Sequence, residues 1–282
     1  MTKTLSLLNQ SIVAFLLTII GFTITASTAY AFPSNSLRPG GVAVLSITPS
    51  QNAKPFVSYN SKPVALVKGQ QNWLAVIGIS LDAKTGQHEI NITESSGKKS
   101  VQKFTVKPHK YKTQYLTIKN KNKVNPNNKS MKRIESEFVM KKKLKATFSN
   151  SSPKLNFIRP VAGRDSGRYG LRRILNKQKR NPHSGMDIAA PEGRSVKAAE
   201  SGTVLWVGNL FFSGNVIYVD HGNGLLSLYA HLSKMNVKKG QQVKRGEIIG
   251  KVGKTGRVTG AHLHWTVYLN GNAVDPALFV AK

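Results

Sequence analysis

The chain has no cysteine and is short of acids: 12 Asp and Glu stand against 42 Lys and Arg, a formal charge of +30 over 282 residues. The lack of cysteine excludes disulfides, even in an oxidising compartment. It also excludes lipid attachment at a mature N-terminal cysteine and any thiolate-held metal, so a metal here takes its ligands from His, Asp or Glu. The shortage of acids leaves a surface that attracts polyanions. Nucleic acid, anionic membrane and anionic cell-wall polymers all suit that charge, and composition does not choose among them. No basic motif interleaved with aromatic residues is present, so specific nucleic-acid recognition is not expected. Long apolar runs are scarce too. One, SIVAFLLTIIGFTITA (Ser11 to Ala26), follows Lys3 and precedes Ala29-Tyr30-Ala31. A basic start, an apolar core and a small-x-small site read as a secretory signal peptide, residues 1–31, cut after Ala31. An uncleaved anchor is the alternative, but the core is short for a comfortable span. No later stretch is apolar enough to cross a bilayer, so the mature chain is expected to be exported and to have no membrane span.

What is present reads as mainly β. Residues 32–118 carry VAVLSI (42–47), PFVSY (55–59), PVALV (63–67), WLAVIGI (73–79), HEINIT (88–93), QKFTVK (102–107) and QYLTI (114–118). Short runs rich in Val, Ile, Thr and aromatics at this spacing predict a small β-sandwich-like accessory domain. His88 and His109 lie there on separate segments without partners, as ordinary surface or edge residues. Residues 119–155 form a basic linker and connector helix. KNKNKVNPNNKS (Lys119 to Ser130) breaks regular structure. The stretch from Ser130 to Phe148 predicts a helix across the domain junction, with a narrow stripe of Ile134 and Phe138 and a Glu137–Lys141 pair. The lysines at 141–143 read as a solvated face. From residue 156 to 282, strands at 203–208, 215–221, 225–232, 247–253 and 262–270 alternate with tight turns, which predicts a second, antiparallel β domain.

The chain has seven histidines, and four of them fall in three fragments with chemistry in common. In HLH, the strand texture of Trp265, Val267 and Leu269 puts His262 and His264 on one face. In HSGMD, a loop entering the strand DIAA sets His183 four residues from Asp187, and both are ordinary metal ligands. In LYAHL, strand alternation puts His231 on the face of Tyr229, opposite the leucines. There it is either a solvent-side histidine or one facing a groove. His221 lies in the turn DHGNG, and Asp220 and Asp275 read as turn or cap residues. The run GKVGKTGRVTG lacks the spacing and the βαβ context of a phosphate loop. Arg168 and Arg172 either line a groove or form structural ion pairs.

Taken in order, FIRPVAGRDSGRYGLRR, PHSGMDIAAPEGRSVKAAESGTV, GNVIYVDHGNGLLSLYAHL, VKKGQQVKRGEIIGKVGKTGRVTGAHLHWTV and VDPALF resemble the catalytic domain of the lysostaphin-type (LytM-like) peptidoglycan metalloendopeptidases, from about Phe157 to Phe279. The resemblance implies an antiparallel sheet with an open groove and one Zn2+ per chain, held by His183, Asp187 and His264. It implies that His231 and His262 flank the metal's water as catalytic residues. It includes inactive relatives that have lost ligands and activate wall amidases, the alternative reading, but all five positions are filled here. The signal peptide and accessory region resemble the periplasmic two-domain members, which implies D-Ala–diaminopimelate cross-links as substrate. It also implies an accessory domain able to cover the groove, hence partial autoinhibition. The expected partners are peptidoglycan and, electrostatically, other anionic envelope polymers; an exported monomer is expected, in the periplasm, with an extracellular location as the alternative.

Overall fold

The runs VAVLSI and WLAVIGI are apolar at almost every position, which suits strands buried on both faces. In the computed structural model, which describes residues 33–51 and 53–281, they form such strands. The expected signal peptide at 1–31 lies outside the described residues. The N-terminal part comprises β1 (Val42–Ile47), β2 (Phe56–Tyr59), β3 (Lys62–Pro63), β4 (Ala65–Lys68), β5 (Trp73–Gly78), β6 (Gly86–Thr93) and β7 (Lys99–Val106). The expected strand 63–67 is thus split around Val64. Two antiparallel sheets, β1-β5-β4 and β3-β2-β6-β7, enclose a core of Ile47, Val57, Tyr59, Leu66, Ile77, Ile90, Ile92 and Phe104. Alternation turns Val42, Ala65 and Val76 the other way, into the core of the C-terminal part. Each fully buried valine contributes about 1.5 kcal/mol, so the small sheet is an integral wall between the two cores.

The stretch QYLTI contains a strand, β8 (Thr113–Leu116), but not one of the N-terminal sheets. It pairs in parallel with Arg172–Leu175, in register from Thr113 against Arg172 to Leu116 against Leu175. The helix α1 (Asn128–Lys145) is capped by the Asn127 side chain, which accepts from the Ser130 N–H. The predicted stripe is not its buried face. Phe138 is 63% exposed, and the buried residue is Glu137. Both Glu137 oxygens accept from the Phe211 backbone N–H at 2.9 and 3.0 Å. The expected Glu137–Lys141 pair gives way to Arg133–Glu137 at 2.7 Å. Met140 and Leu144 then pack on an apolar sheet face that includes Val216, Tyr218, Leu228 and Tyr268.

Beyond α1 come β9 (Arg164–Gly167), β10 (Arg172–Leu175), β11 (Gln178–Arg180), β12 (Met186–Ala189), β13 (Ser195–Lys197), β14 (Gly202–Leu210), β15 (Gly214–Gly222), β16 (Leu225–Leu232), β17 (Lys234–Met235), β18 (Gln242–Val243), β19 (Ile248–Lys251), β20 (His262–Leu269) and β21 (Asn272–Val274). The large sheet runs β18-β14-β15-β16-β20-β12-β9, with β21 on β20, and its pairings are antiparallel. One face is covered by α1. The other, with the sheet β13-β19-β17, encloses the main core around Trp265, Ile188, Ile249 and Phe157. Among the described residues, no helix is long and apolar enough to cross a membrane.

Candidate metal centre

Alternation along β20 sends Leu263, Trp265 and Val267 into the main core. His262 and His264 therefore project from the opposite face. Strand β12 does the same: Met186 and Ile188 enter the core, and Asp187 emerges opposite. The register pairs Asp187 directly with His264. His183 reaches the same point from the preceding loop, which is pinned by backbone bonds between His183 and Gly170 and Leu171. Two glycines make room. A Cβ at Gly185 would lie 2.4 Å from the Trp265 carbonyl oxygen and 2.9 Å from His264 Cε1, and one at Gly167 would lie 2.6 Å from Asp187 Oδ2.

His183, Asp187 and His264 offer ligand atoms that all lie within 4.8 Å of one another. His183 Nε2 is 2.9 Å from Asp187 Oδ1 and 3.0 Å from His264 Nδ1, and His264 Nδ1 is 2.8 Å from the same oxygen. The chemistry of this donor set suits a cation. His183 Nδ1 faces the Arg168 carbonyl at 2.8 Å, so it carries the proton and Nε2 bears a lone pair. Burial, the largest influence, pulls His183 down to about 4, so the ring is neutral near pH 7. Its bare nitrogen then confronts a carboxylate oxygen at hydrogen-bond distance with no proton between them, an arrangement that a cation relieves. Two imidazoles and one carboxylate are a normal catalytic set for zinc, with one position left open. The outer contacts orient the ligands: His264 Nε2 meets Thr266 Oγ1 at 3.0 Å, and Arg173 Nη2 donates to Asp187 Oδ2 at 2.7 Å.

His231 and His262 lie beside this triad. Their ring centroids are 4.8 Å apart, and that of His231 is 5.8 Å from that of His264. Strand alternation misplaces His231. Tyr229 points into the main core, where its hydroxyl accepts from the Ala199 N–H, yet His231 does not join it. Asn215 pairs with Leu232 and Ile217 with Tyr229, so Ala230 and His231 together oppose Val216. The extra residue is a β-bulge, a device that re-aims a side chain. His231 adopts φ +64°, an uncommon conformation for a non-glycine residue. Alternation is reset, Leu232 takes the core position, and His231 swings to the face of His264. His231 Nδ1 donates to the Thr255 carbonyl and His262 Nδ1 to the Gly260 carbonyl, at 2.8 and 2.9 Å. Each ring is thereby left with a bare Nε2. Burial lowers both pKa values, that of His231 well below the ordinary range.

The other histidines are accounted for elsewhere. His221 is buried between the Ser201 carbonyl and Ser227 Oγ. Contrary to expectation, His88 and His109 have partners: Tyr59 and the Lys84 carbonyl for the first, Arg38 for the second. Asp275 caps the following turn, accepting from the Ala277 N–H. Arg168 is paired with Asp165 at 3.6 Å. The groove arginines are instead Arg173 and Arg257, which sequence reading missed. For Arg173 a signal existed, because it shares a strand face with the buried Leu175. A cavity of about 130 Å³ adjoins the triad, lined by Arg173, Asp187, His231, Arg257 and His262 on one side. Gln114, Leu116 and Ile118 form another wall, so the expected open groove carries a partial roof made by β8 and the residues after it.

Comparison with known proteins accords with this geometry. The model of peptidase family M23 matches residues 181–276, and that of the peptidase family M23 N-terminal domain matches residues 35–109. The peptidoglycan DD-endopeptidase ShyA of Vibrio cholerae is 43% identical over 113 residues, which are 40% of this chain and 26% of ShyA. The DD-carboxypeptidase/endopeptidase Mpg of Neisseria meningitidis is 45% identical over 94 residues, 33% of this chain and 22% of Mpg. The matched segments thus span about a quarter of these curated relatives. A Pseudomonas aeruginosa crystal structure assigned to peptidase M23 superposes with a TM-score of 0.73 at 37% identity, covering 87% of this chain and 95% of that one. With that structure matched over nearly its whole length and the two family models lying in order along the sequence, the chain belongs to peptidase family M23.

Proposed function

We propose that the protein is an exported, zinc-dependent endopeptidase that hydrolyses the peptide cross-links of peptidoglycan, acting as a D,D-endopeptidase on D-Ala–diaminopimelate bridges in the periplasm. In this reading residues 32–118 are the accessory domain, 119–155 the connector and 156–282 the peptidase domain. His183, Asp187 and His264 hold the metal, while His231 and His262 are the catalytic histidines. The observation that carries the reading is the convergence of one carboxylate and four imidazoles at the edge of a groove, in a chain similar to ShyA and Mpg. Zinc, when bound, supplies a Lewis acid and lowers the pKa of a water in its open position. The chain's own residues do the rest. His231 and His262, neutral by burial and fixed through Nδ1, present bare Nε2 atoms to the reacting centre. A bare Nε2 takes the proton of the attacking water, and once protonated the same nitrogen gives it to the leaving amine. An activator of amidases has no need of such a complete set.

Partial autoinhibition belongs to the same reading. Gln114, Leu116 and Ile118 occupy one wall of the cavity, so long substrates require that segment to move. The basic surface holds the protein near anionic envelope polymers, an attraction that weakens as salt rises. The test is digestion of a purified cross-linked dimeric muropeptide followed by mass spectrometry. Two monomers from hydrolysis at the D-Ala–diaminopimelate bond are expected; an intact dimer, or removal of the whole stem peptide from the glycan, contradicts the proposal.

A further inference from the structure

Among the described residues, Arg257 is a cation without a counter-ion, and it lines the cavity beside the metal site. It lies in the loop between β19 and β20, with its Cζ 4.4 Å above the ring centre of Phe212 and its backbone N–H donated to the Phe212 carbonyl. The guanidinium is therefore held as a fixed plate. It has five N–H donors, yet among the described residues its one hydrogen bond runs from Nη1 to the Lys123 carbonyl at 3.4 Å. Among the described residues no carboxylate pairs with it within 4.0 Å. Its charged neighbours, Arg173 and Arg180, are cations too, and burial followed by their repulsion lowers Arg257 to about 10, so it stays charged at neutral pH. Other arginines differ. Arg180 is taken up by the Val124 carbonyl and by Asn125 Oδ1, and Arg38 by Asp275.

The cavity it lines is incompletely satisfied on two more sides. Arg173 spends Nη2 on Asp187 Oδ2, but among the described residues its Nε is a buried donor without a partner; Gln114 Oε1 on the roof is also unpaired, but as an acceptor it has to withdraw from an anion bound there. The acid on the cavity wall, Asp187, is already engaged by Arg173 and the imidazoles. A buried donor with no acceptor is unusual enough to require an explanation. A carboxylate provides one, because it can accept the single free N–H of Arg173 Nε while its other lone pairs accept from the guanidinium fork of Arg257, which among the described residues no acid occupies.

We propose that Arg257, assisted by Arg173, forms a carboxylate-binding subsite that selects peptides bearing a free carboxylate next to the scissile amide. The inference rests on the peptidase reading of the same groove. It identifies a specificity determinant: Arg257 grips the anion and so places the scissile carbonyl against the metal triad, while the roof residue Gln114 leaves.

The experiment uses the zinc-loaded full chain and a cross-link peptide whose scissile amide is replaced by a non-hydrolysable isostere. Three forms are compared by calorimetry: free acid, side-chain carboxylate amidated, and main-chain carboxylate amidated. The free acid is expected to bind wild type about tenfold or more tighter than one of the amides, as for a hydrogen bond to a charged group, and that amide identifies the recognised carboxylate. Arg257→Gln should bring the ratio to about one, and Arg257→Lys, which keeps the charge but not the fork, should leave an intermediate ratio. Equal binding of all three forms by wild type, no binding, or a ratio unchanged in Arg257→Gln overturns the subsite. Cleavage of a natural dimeric muropeptide, run in parallel, separates the two claims. Cleavage without charge preference removes only the subsite, and charge preference without cleavage removes only the peptidase reading.

Discussion

One side chain among those that hold the roof over the groove can be removed with a calculable effect. Asn176 opens the two-residue turn between β10 and β11, in the left-handed conformation at φ +47°. Its side chain brackets the backbone of Ile118: Oδ1 accepts from the Ile118 N–H at 2.7 Å and Nδ2 donates to the Ile118 carbonyl at 3.0 Å. Asn176→Gly keeps the backbone conformation, which glycine adopts freely, and deletes both bonds. At about 0.5–1.5 kcal/mol net for each, the roof loses roughly 2 kcal/mol, about a 30-fold increase in its opening constant. The Asn176 N–H to Leu116 carbonyl bond and the apolar cluster of Leu116, Ile118, Val124 and Leu175 remain, so the segment loosens while the domain stays folded. Two readouts are needed. Amide hydrogen exchange across residues 113–118 should accelerate, and release of soluble fragments from dye-labelled sacculi should rise severalfold, up to that limit. Faster exchange with unchanged release would refute the roof as a block. Unchanged exchange would refute the bracket.

Three further outcomes follow from the geometry. His231→Asn, which tolerates the left-handed backbone, should lower turnover by roughly 10²-fold or more while zinc content by elemental analysis stays at one per chain; near-normal turnover would remove His231 from catalysis. Glu137→Ala strands the Phe211 N–H and should destabilise the chain by about 1–3 kcal/mol, seen by calorimetry as a melting temperature lower by roughly 2–4 °C per kcal/mol. His221 is depressed below its unfolded value, foremost by burial. The stability this represents is complete above an unfolded pKa of about 6.5 and drains away as pH falls from there through the folded value. The melting temperature should therefore decline on acidification, and less steeply in His221→Asn; identical slopes in both proteins would show that His221 does not contribute.

Much of this architecture was legible because local chemistry agreed with the global fold. Runs such as VAVLSI and LLSLYAHL are strands by composition alone, and period-two alternation correctly set His262 and His264 on one face, opposite Trp265. The failures lie where a non-local partner overrides a local rule. QYLTI reads as another strand of the N-terminal sandwich, but its partner, Arg172–Leu175, is more than 50 residues away in sequence, and nothing in the five residues announces it. The apolar stripe orients the helix one way, yet it docks through Glu137, because among the described residues only that carboxylate accepts from the Phe211 N–H. Alternation sends His231 to the wrong face because it assumes an unbroken ladder, and a bulge on a non-glycine residue leaves no compositional mark. Arg257 was hidden for a different reason: its significance is the absence of an acid around it, which only the folded chain displays.

The proposed function requires metal-dependent hydrolysis at His183, Asp187 and His264. The direct measurement is the cross-linked fraction of purified sacculi after digestion by the protein as isolated, after chelation, and after return of zinc. Cross-links should fall, persist, and fall again, and Asp187→Ala should leave them intact in all three conditions. Cleavage that survives complete chelation, or that Asp187→Ala retains, would contradict the account.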